Sequence, residues 1–570
     1  MARTHFTPFL HRRSIAYFSM EIGLLSEIPT YSGGLGVLAG DTLRSAADLE
    51  LPLVGVTLIS RQGYFRQSLD VEGRQSEQPD PWEPTQWCIP LRAKICVPIE
   101  GRDVWVQAWL FTIEGGAGFE VPVLLLDTDL DENMAQDRTI TDNLYGGDEV
   151  YRLKQEIVLG IGGVRILRAL GFEIHTYHMN EGHSALLSLE LLWESAHPAN
   201  GTTAANPRPV FDFDRIRSLC LFTTHTPVDS GHDKFSYDLV ERLLGGYLDL
   251  SIVRSLAGEE RLNMTQLAFS LSGYVNGVAK SHAETSRQLF PGYQVHAITN
   301  GIHPMTWTAP SFQALYDRFL PNWRHEPELL VRADQIPDEE IWEAHQTAKE
   351  ALIERIRQLT GKVLDPDLPI IGFARRITGY KRPDLLFYDT DRLRAIAARY
   401  PFQLVMAGKA HPRDEPAKSL LQNLFATCNG TEDLCRWAFL PGYDMSLALY
   451  LISGADLWLN TPKRPLEASG TSGMKAALNG VPNLSILDGW WKEGCIEGTT
   501  GWAIGTPQIP DLDQEDAESL YQKLETEVLP LYTDDRQGWI KVMRGAISKN
   551  AYYFNSFRMM RRYATEAYIR

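Results

Sequence analysis

The chain has 570 residues and a mass of 64.3 kDa, too much for one hydrophobic core and enough for about two to four domains of ordinary size. Hydrophobic residues make up 44% and charged residues 22%, globular values that exclude an intrinsically disordered chain. A formal net charge of -17, from 55 basic and 72 acidic residues, excludes nucleic acid and anionic membrane as general partners, so an anionic ligand has to be met by a local cluster of cations.

The N-terminal stretch MARTHFTPFLHRRSIAYF carries arginines but no apolar core leading to a small-residue cleavage site. No run elsewhere is apolar and long enough to span a bilayer, which predicts a soluble, cytoplasmic protein. The six cysteines contain no CxxC pair and read as reduced thiols. Ser32-Gly33-Gly34-Leu35-Gly36 comes next and precedes a helical pattern carrying Val37, Leu38, Leu43, Ala46, Ala47 and Leu49. Glycines in such a turn let backbone N–H groups approach a phosphate. The spacing is not GxGxxG, so a dinucleotide fingerprint is not supported.

Short apolar, β-rich runs then recur at 51–59 (LPLVGVTLI), 121–126 (VPVLLL), 174–179 (IHTYHM) and 219–224 (LCLFTT). The stretch 198–209 (PANGTTAANPRP) reads as a surface loop. His178 and His183, and His225 and His232, lack the one-turn spacing of HExxH, so no metal site is expected. His225 directly follows an apolar strand pattern, where either a crevice lip or a buried, hydrogen-bonded histidine would stand.

After a TNGIHP turn, a boundary near residue 305 divides the chain into an N-terminal unit, 1–305, and a C-terminal unit, 306–570. Pro337 opens a helix with apolar positions Ile341, Ala344, Ala348, Leu352, Ile356 and Leu359, ending before Gly361. The strand pattern resumes at 370–374 (IIGFA), 403–407 (QLVMA), 455–459 (ADLWL) and 484–487 (LSIL). Strands alternating with helices predict parallel sheets covered on both faces, and two such blocks predict an α/β protein of two doubly wound, Rossmann-like domains.

Four cations, Arg375, Arg376, Lys381 and Arg382, stand immediately after the 370–374 strand. Ligands of open α/β sheets sit at the carboxyl ends of strands, so this cluster reads as a phosphate clamp rather than a solvated basic edge. The run Glu467-Ala468-Ser469-Gly470-Thr471-Ser472-Gly473-Met474-Lys475 places a lysine at the start of an expected helix, behind a glycine- and hydroxyl-rich turn. An ammonium there opposes the helix dipole, whereas a lysine engaged as a Schiff base need carry no full charge, which suits pyridoxal phosphate. A solvated helix lysine is the plainer alternative. No GxSxG elbow or GxxxxGK[ST] loop occurs, while a carboxylate-pair glycosidase is not excluded by counting. The C-terminal AYYFNSFRMMRRYATEAYIR reads as a helix packing its aromatic side on the body.

In collinear order, AYFSMEIGL, YSGGLGVLAGD, NLYGGDEVYRLKQE, TTHTP, NMTQLAFSLSGYVNGVAKSHAE, ITNGIHP, RRITGYKRP, VMAGKAHP, EASGTSGMK and NGVPNLSILDG resemble blocks of the α-glucan phosphorylases, the glycogen and maltodextrin phosphorylase family, in its short bacterial and archaeal form. The resemblance implies a glycosyltransferase B type fold of two domains facing a cleft, with the glycine loop and glucan-side residues in 1–305. It implies pyridoxal phosphate and phosphate sites in 306–570, with the last helix packing back on the N-terminal domain. It further implies retaining phosphorolysis of α-1,4-glucan with inorganic phosphate to release glucose 1-phosphate. Lys475 matches the lysine that carries pyridoxal phosphate. Arg376 and Lys381 match the cations gripping substrate phosphate, and Arg375 and Tyr443 fall near the cofactor. Gly33, Gly34 and Gly36 match the loop over the phosphates, with Thr471 and Gly473 beside the lysine. Glu467, Ser469, Gly470 and Asn300 match positions that hold the sugar, Asp148 matches a gating loop, and His225 faces the transferred glucose. A homo-oligomer is compatible with the resemblance.

Two departures stand out. Thr378 and Gly379 replace a His-Glu pair of the long members, and Arg375 replaces lysine, which exchanges an ammonium point charge for a guanidinium fork. The competing readings are a nucleotide-sugar-dependent glucan synthase of the same fold, which needs no pyridoxal phosphate, and a non-catalytic glucan-binding protein. Use of ADP-glucose or UDP-glucose without glucose 1-phosphate marks the first, and glucan binding without phosphate release the second.

Overall fold

The computed structural model describes residues 14–198, 209–228, 231–247, 249–431, 435–505 and 513–569. Its frame is two large sheets. The first has nine strands in the order His296–Ala297, Tyr274–Gly277, Cys220–Thr223, Thr176–Asn180, Ile15–Ser19, Leu53–Leu58, Glu120–Asp127, Arg102–Glu114 and Ile89–Ile99. Its first seven members pair in parallel, and the last two add an antiparallel edge. The second sheet is wholly parallel, in the order Arg436–Leu440, Gln403–Ala407, Ile370–Ala374, Leu457–Asn460, Asn483–Ile486 and Gly501–Ile504.

Strands buried on both faces need apolar side chains at every position. Accordingly Leu53–Leu58, Ile370–Ala374 and Gln403–Ala407 are buried throughout. The antiparallel strand Arg102–Glu114, next to the edge, instead alternates, with Val104, Val106, Ala108 and Leu110 buried and Asp103 and Trp105 exposed. Numbered along the chain, the parallel strands of both sheets run 3-2-1-4-5-6, with a seventh strand beyond the sixth in the first sheet. That order reverses beside the first strand of each, the place where open α/β sheets leave a crevice at their carboxyl ends. The reversal points fall between Ile15–Ser19 and Thr176–Asn180, and between Ile370–Ala374 and Leu457–Asn460.

A helix spans Asp338–Thr360, with Asp338, Glu339 and Glu340 in its first turn and Gly361 closing it at φ 72°, a conformation glycine adopts without strain. Ile341, Ala344, Ala348, Leu352 and Ile356 are buried on it. Leu359 departs from the expected stripe and is 37% exposed, because it lies in the last turn, where the helix leaves the core. The expected loop at 198–209 lies mostly outside the described residues, and its ends pair as His197–Pro198 with Pro209–Val210.

The final helical run begins at Ser556–Arg562. Met559, Met560, Tyr563 and Ala567 join a core cluster with Tyr17, Leu38, Leu43 and Leu221 of the first half. Arg558 donates to the carbonyls of Thr299 at 2.7 Å and Asn300 at 2.9 Å. Ile302 N–H donates to Phe554 O at 3.1 Å, and Ile302 O accepts from Ser556 N–H at 2.9 Å. No described helix is long and apolar enough to cross a membrane.

Candidate active site

The carboxyl end of Ile370–Ala374 delivers Arg375 directly into the crevice of the second sheet. Arg375 Nη2 donates to Glu467 Oε2 at 2.6 Å, while Arg375 Nε and Nη1 are buried without a hydrogen-bond partner among the described residues. Lys381 Nζ reaches the same Glu467 oxygen, also at 2.6 Å. Burial works to raise the Glu467 pKa, but Arg375 and Lys381 overcome it and pull the carboxyl down to about 2. Tyr380 sits among these cations, with Lys381 Nζ 4.5 Å from its ring centroid. Burial raises its pKa, but Lys381, Arg376 and Arg375 are among the charges that bring the phenol below its ordinary value. Arg376 lines a cavity of about 420 Å³ with Thr378, His411, Arg413, Asp414 and Pro416. Burial pushes the Tyr443 phenol above its usual range, with Arg375 opposing the shift.

The helix that carries Lys475 spans Ser472–Leu478, which makes the lysine its fourth residue rather than part of its start. Burial, not the helix dipole, is therefore what acts on this amine. Lys475 is 7% exposed, and desolvation lowers its pKa to about 8, with Asp41 raising it and Arg44 lowering it further. Its Nζ lies 3.8 Å from the ring centroid of Trp307, whose Nε1 donates to Asp41 Oδ2 at 2.8 Å. No ion pair or hydrogen bond holds Nζ among the described residues. A buried amine whose pKa is lowered by desolvation, on the helix after the strand that pairs with Ile370–Ala374, and an arginine with two open donors directly after Ile370–Ala374 form a donor set that fits an aldehyde bearing a phosphate.

From the first half, the glycine turn leads into the helix Gly34–Asp48 with Gly33 at its cap. Side chains built at Gly33 or Gly34 would meet nothing within 4 Å, so the backbone there borders open space. A Cβ at Gly36 would lie 2.6 Å from Glu21 Oε2, which makes that glycine a packing requirement. Gly473 is one too, since its Cβ would lie 2.2 Å from Asn483 Oδ1. Glu21 accepts from the N–H groups of Ser32 at 2.5 Å and Gly33 at 3.2 Å, and from Tyr145 Oη at 2.9 Å. Burial raises its pKa, with these hydrogen bonds opposing.

His225 follows Cys220–Thr223. Its Nε2 lies 2.6 Å from Asn180 Oδ1, and its N–H donates to Glu181 Oε2 at 2.9 Å. Burial holds its pKa well below the ordinary value, so the ring is neutral. Glu181 adopts φ 71°, a strained conformation for a non-glycine residue, and its carboxylate also accepts from Gly182 N–H and the Thr226 hydroxyl. Asn300 is buried with Oδ1 unpartnered among the described residues. Ser469 is 2% exposed, and Gly470 turns the chain at φ 76° beneath it. Thr471 precedes the lysine helix, its carbonyl accepting from Lys475 N–H at 3.1 Å.

Asp148 stands apart: it is exposed, and its carboxylate caps the helix Glu149–Ile157 by accepting from Tyr151 N–H at 3.0 Å. No set of three or more His, Cys, Asp or Glu side chains among the described residues is arranged for a metal ion. Instead, His178 bonds Tyr568 and Thr223. Reading the sequence missed Glu21, Trp307 and Tyr380; only Tyr380, inside the cation run, carried a local signal.

Together these groups define a protein that presents a cluster of cations at the carboxyl end of one strand of a parallel sheet and a buried lysine on the helix after the neighbouring strand. Residues 245–493 match the carbohydrate phosphorylase family, a span that contains Asn300, Arg375, Arg376, Lys381, Tyr443, Glu467 and Lys475. The chain is 39% identical to the maltodextrin phosphorylase of Thermococcus litoralis, over 97% of this chain and 70% of that protein. It is 37% identical to the glycogen phosphorylase of Mycobacterium tuberculosis over the same shares, 97% and 70%. With the glycogen phosphorylase of Aquifex aeolicus it shares 35% identity over 98% of this chain and 86% of that protein. The chain belongs to the carbohydrate phosphorylase family.

Proposed function

We propose that the protein is a glycosyltransferase that cleaves α-1,4-glucan with inorganic phosphate, with retention, releasing glucose 1-phosphate. The observation that carries this reading is the buried Lys475 amine, held by no ion pair or hydrogen bond among the described residues, on the helix after Leu457–Asn460, the strand that pairs with the one delivering Arg375 and its open donors. The relatives named for glycogen and maltodextrin phosphorolysis support it. We read the two sheets as doubly wound, Rossmann-like domains of the glycosyltransferase B type, 1–305 and 306–570, facing a cleft.

In this reading Lys475 would hold pyridoxal phosphate through Nζ, Arg375 and Tyr443 would help to bind it, and Thr471 and Gly473 would shape the turn beside the lysine. When bound, the cofactor supplies a phosphate group able to exchange a proton with inorganic phosphate. Arg376 and Lys381 bind the incoming orthophosphate, and with Arg375 their charge offsets the repulsion between two phosphates in a low-dielectric crevice. The Gly34 N–H, at the positive end of the Gly34–Asp48 helix, adds a donor to the same anion, while the Gly33 N–H is held by Glu21.

Neutral His225, with Nε2–H committed to Asn180, keeps Nδ1 as an acceptor and its ring fixed against the sugar. Asn300, Glu467, Ser469 and Gly470 hold the glucose, and Asp148 lies on the loop that covers it. Exclusion of water by the closed cleft leaves phosphate as the acceptor of the glucosyl group. The deciding experiment is the near-ultraviolet spectrum of the purified protein before and after borohydride, coupled to glucose 1-phosphate release from maltodextrin. A borohydride-sensitive chromophore with phosphate-dependent release is expected, and release without such a chromophore would refute the reading.

A further inference from the structure

Outside the two large sheets, Arg66–Leu69 and Gln75–Gln78 form an antiparallel hairpin that joins neither of them. An isolated two-stranded hairpin is marginal in water, so its order has to come from what it rests on. It rests on the second half of the chain. Gln67, 5% exposed, donates from Nε2 to Gly408 O at 2.9 Å and to Gln75 Oε1 at 2.9 Å. Its Oε1 accepts from Gly442 N–H at 3.0 Å. Gln75 makes a two-point contact with Ala410, donating to its carbonyl at 2.9 Å and accepting from its N–H at 3.0 Å. The hairpin turn at Gly73 sits on Phe425, where a Cβ would come within 2.5 Å of the ring.

The two loops that Gln67 grips are not arbitrary. Gly408 lies flat against the cation loop, since a Cβ there would be 2.0 Å from the Arg375 carbonyl oxygen. Arg375 N–H donates to Ala407 O at 3.2 Å and Ile377 N–H to Lys409 O at 3.0 Å, so residues 407–409 run alongside 375–377. Gly442 immediately precedes Tyr443. One carboxamide from the first half therefore ties together the backing of Arg375 and Arg376 and the loop that presents Tyr443. Both its donors and its acceptor are in use, and only an amide of this length serves all three partners at once.

We infer that Gln67 is a positioning residue for the phosphate site: through Gly408 and Gly442 it sets the Arg375–Arg376 loop against the first half of the chain. The inference rests on the phosphorolysis reading, and it concerns phosphate rather than glucan. The test uses the holoenzyme with Gln67→Glu, which removes the donors, and Gln67→Met, which keeps the length without hydrogen bonds. Gln75→Ala serves as a milder variant should either fail to fold. Orthophosphate affinity is measured by calorimetry, alongside kcat, the separate KM values for phosphate and maltodextrin, and the unfolding temperature.

Phosphate affinity and KM for phosphate are expected to weaken roughly tenfold, the scale of a lost buried hydrogen bond, while KM for maltodextrin stays within about twofold. Unchanged phosphate affinity in these variants would overturn the inference. So would phosphate and maltodextrin constants that worsen together in step with a lower unfolding temperature. If the unsubstituted protein releases no glucose 1-phosphate, the functional reading fails on its own, and the phosphate calorimetry still decides the role of Gln67.

Discussion

Lys381 Nζ lies 2.6 Å from Glu467 Oε2, and Arg375 Nη2 shares that oxygen at the same distance. The cations of the proposed phosphate site are thus partly neutralised by a carboxylate of the proposed sugar site, and the two substrates compete for the same charges. Replacing Glu467 by Gln removes an anion next to phosphate and a strong acceptor next to glucose. KM for phosphate is expected not to rise, while kcat falls about 10- to 100-fold, the usual scale for a charge-assisted hydrogen bond. Steady-state kinetics at saturating maltodextrin with varied phosphate check this.

The same residue has a signature in stability. The Glu467 carboxyl is depressed from 4.5 to about 2, so its contribution is fully present above pH 4.5 and is lost as pH falls through the folded value, on the order of 3 kcal/mol at most. The stability difference between the unsubstituted protein and Glu467→Gln is expected to be largest near neutrality and to shrink as pH falls from 4.5 towards 2. Urea unfolding at several pH values measures it.

Lys475→Ala is expected to yield folded protein with no borohydride-sensitive chromophore and no phosphorolysis. Desolvation lowers the lysine from 10.5 to about 8, which raises its neutral fraction at pH 7.5 from about 0.1% to about 25%. Loading of cofactor-free protein is therefore expected to accelerate with pH and level off above about 8. In the cofactor-free protein the unfolded chain binds more protons between pH 8 and 10.5, so stability rises with pH across that window. Asp41→Asn, which removes a charge that raises the Lys475 pKa, shifts the loading profile to lower pH. Stopped-flow absorbance follows all three proteins.

Gly34 and Gly36, two residues apart, are expected to respond oppositely to alanine. Gly36→Ala drives a methyl group into Glu21 and Tyr31 and costs about 1–3 kcal/mol of stability. Gly34→Ala meets open space at the first position of a helix, so stability is unchanged or rises by up to about 1 kcal/mol. Its cost appears instead as a phosphate KM raised roughly tenfold or more, a methyl group now occupying the approach to the backbone N–H groups. Melting temperatures and phosphate titrations separate the two effects.

The parallel strands were legible because burial on both faces leaves an unbroken apolar run: the segments read at 370–374 and 403–407 coincide with Ile370–Ala374 and Gln403–Ala407. The antiparallel pair Ile89–Ile99 and Arg102–Glu114 escaped, since an alternating edge mixes Asp103 and Gln107 among its valines. The cation run after 370–374 could be placed from the strand rule alone. Its pairing with Glu467 could not, because 92 residues separate Arg375 from that carboxylate and no periodicity spans such a distance. Trp307 and Glu21 were silent for the same reason, as each matters only through what folds against it. Lys475 was found through its turn, yet burial rather than helix position turned out to govern its charge.

Arg558 grips the carbonyls of Thr299 and Asn300, 259 and 258 residues upstream of it, and this carries a consequence for how the chain is made. The TNG turn is synthesised long before the arginine that holds it. A nascent chain can therefore assemble its first sheet early, yet these two carbonyls wait for their guanidinium until residue 558 has emerged. A chain broken off between them leaves the turn without either donor.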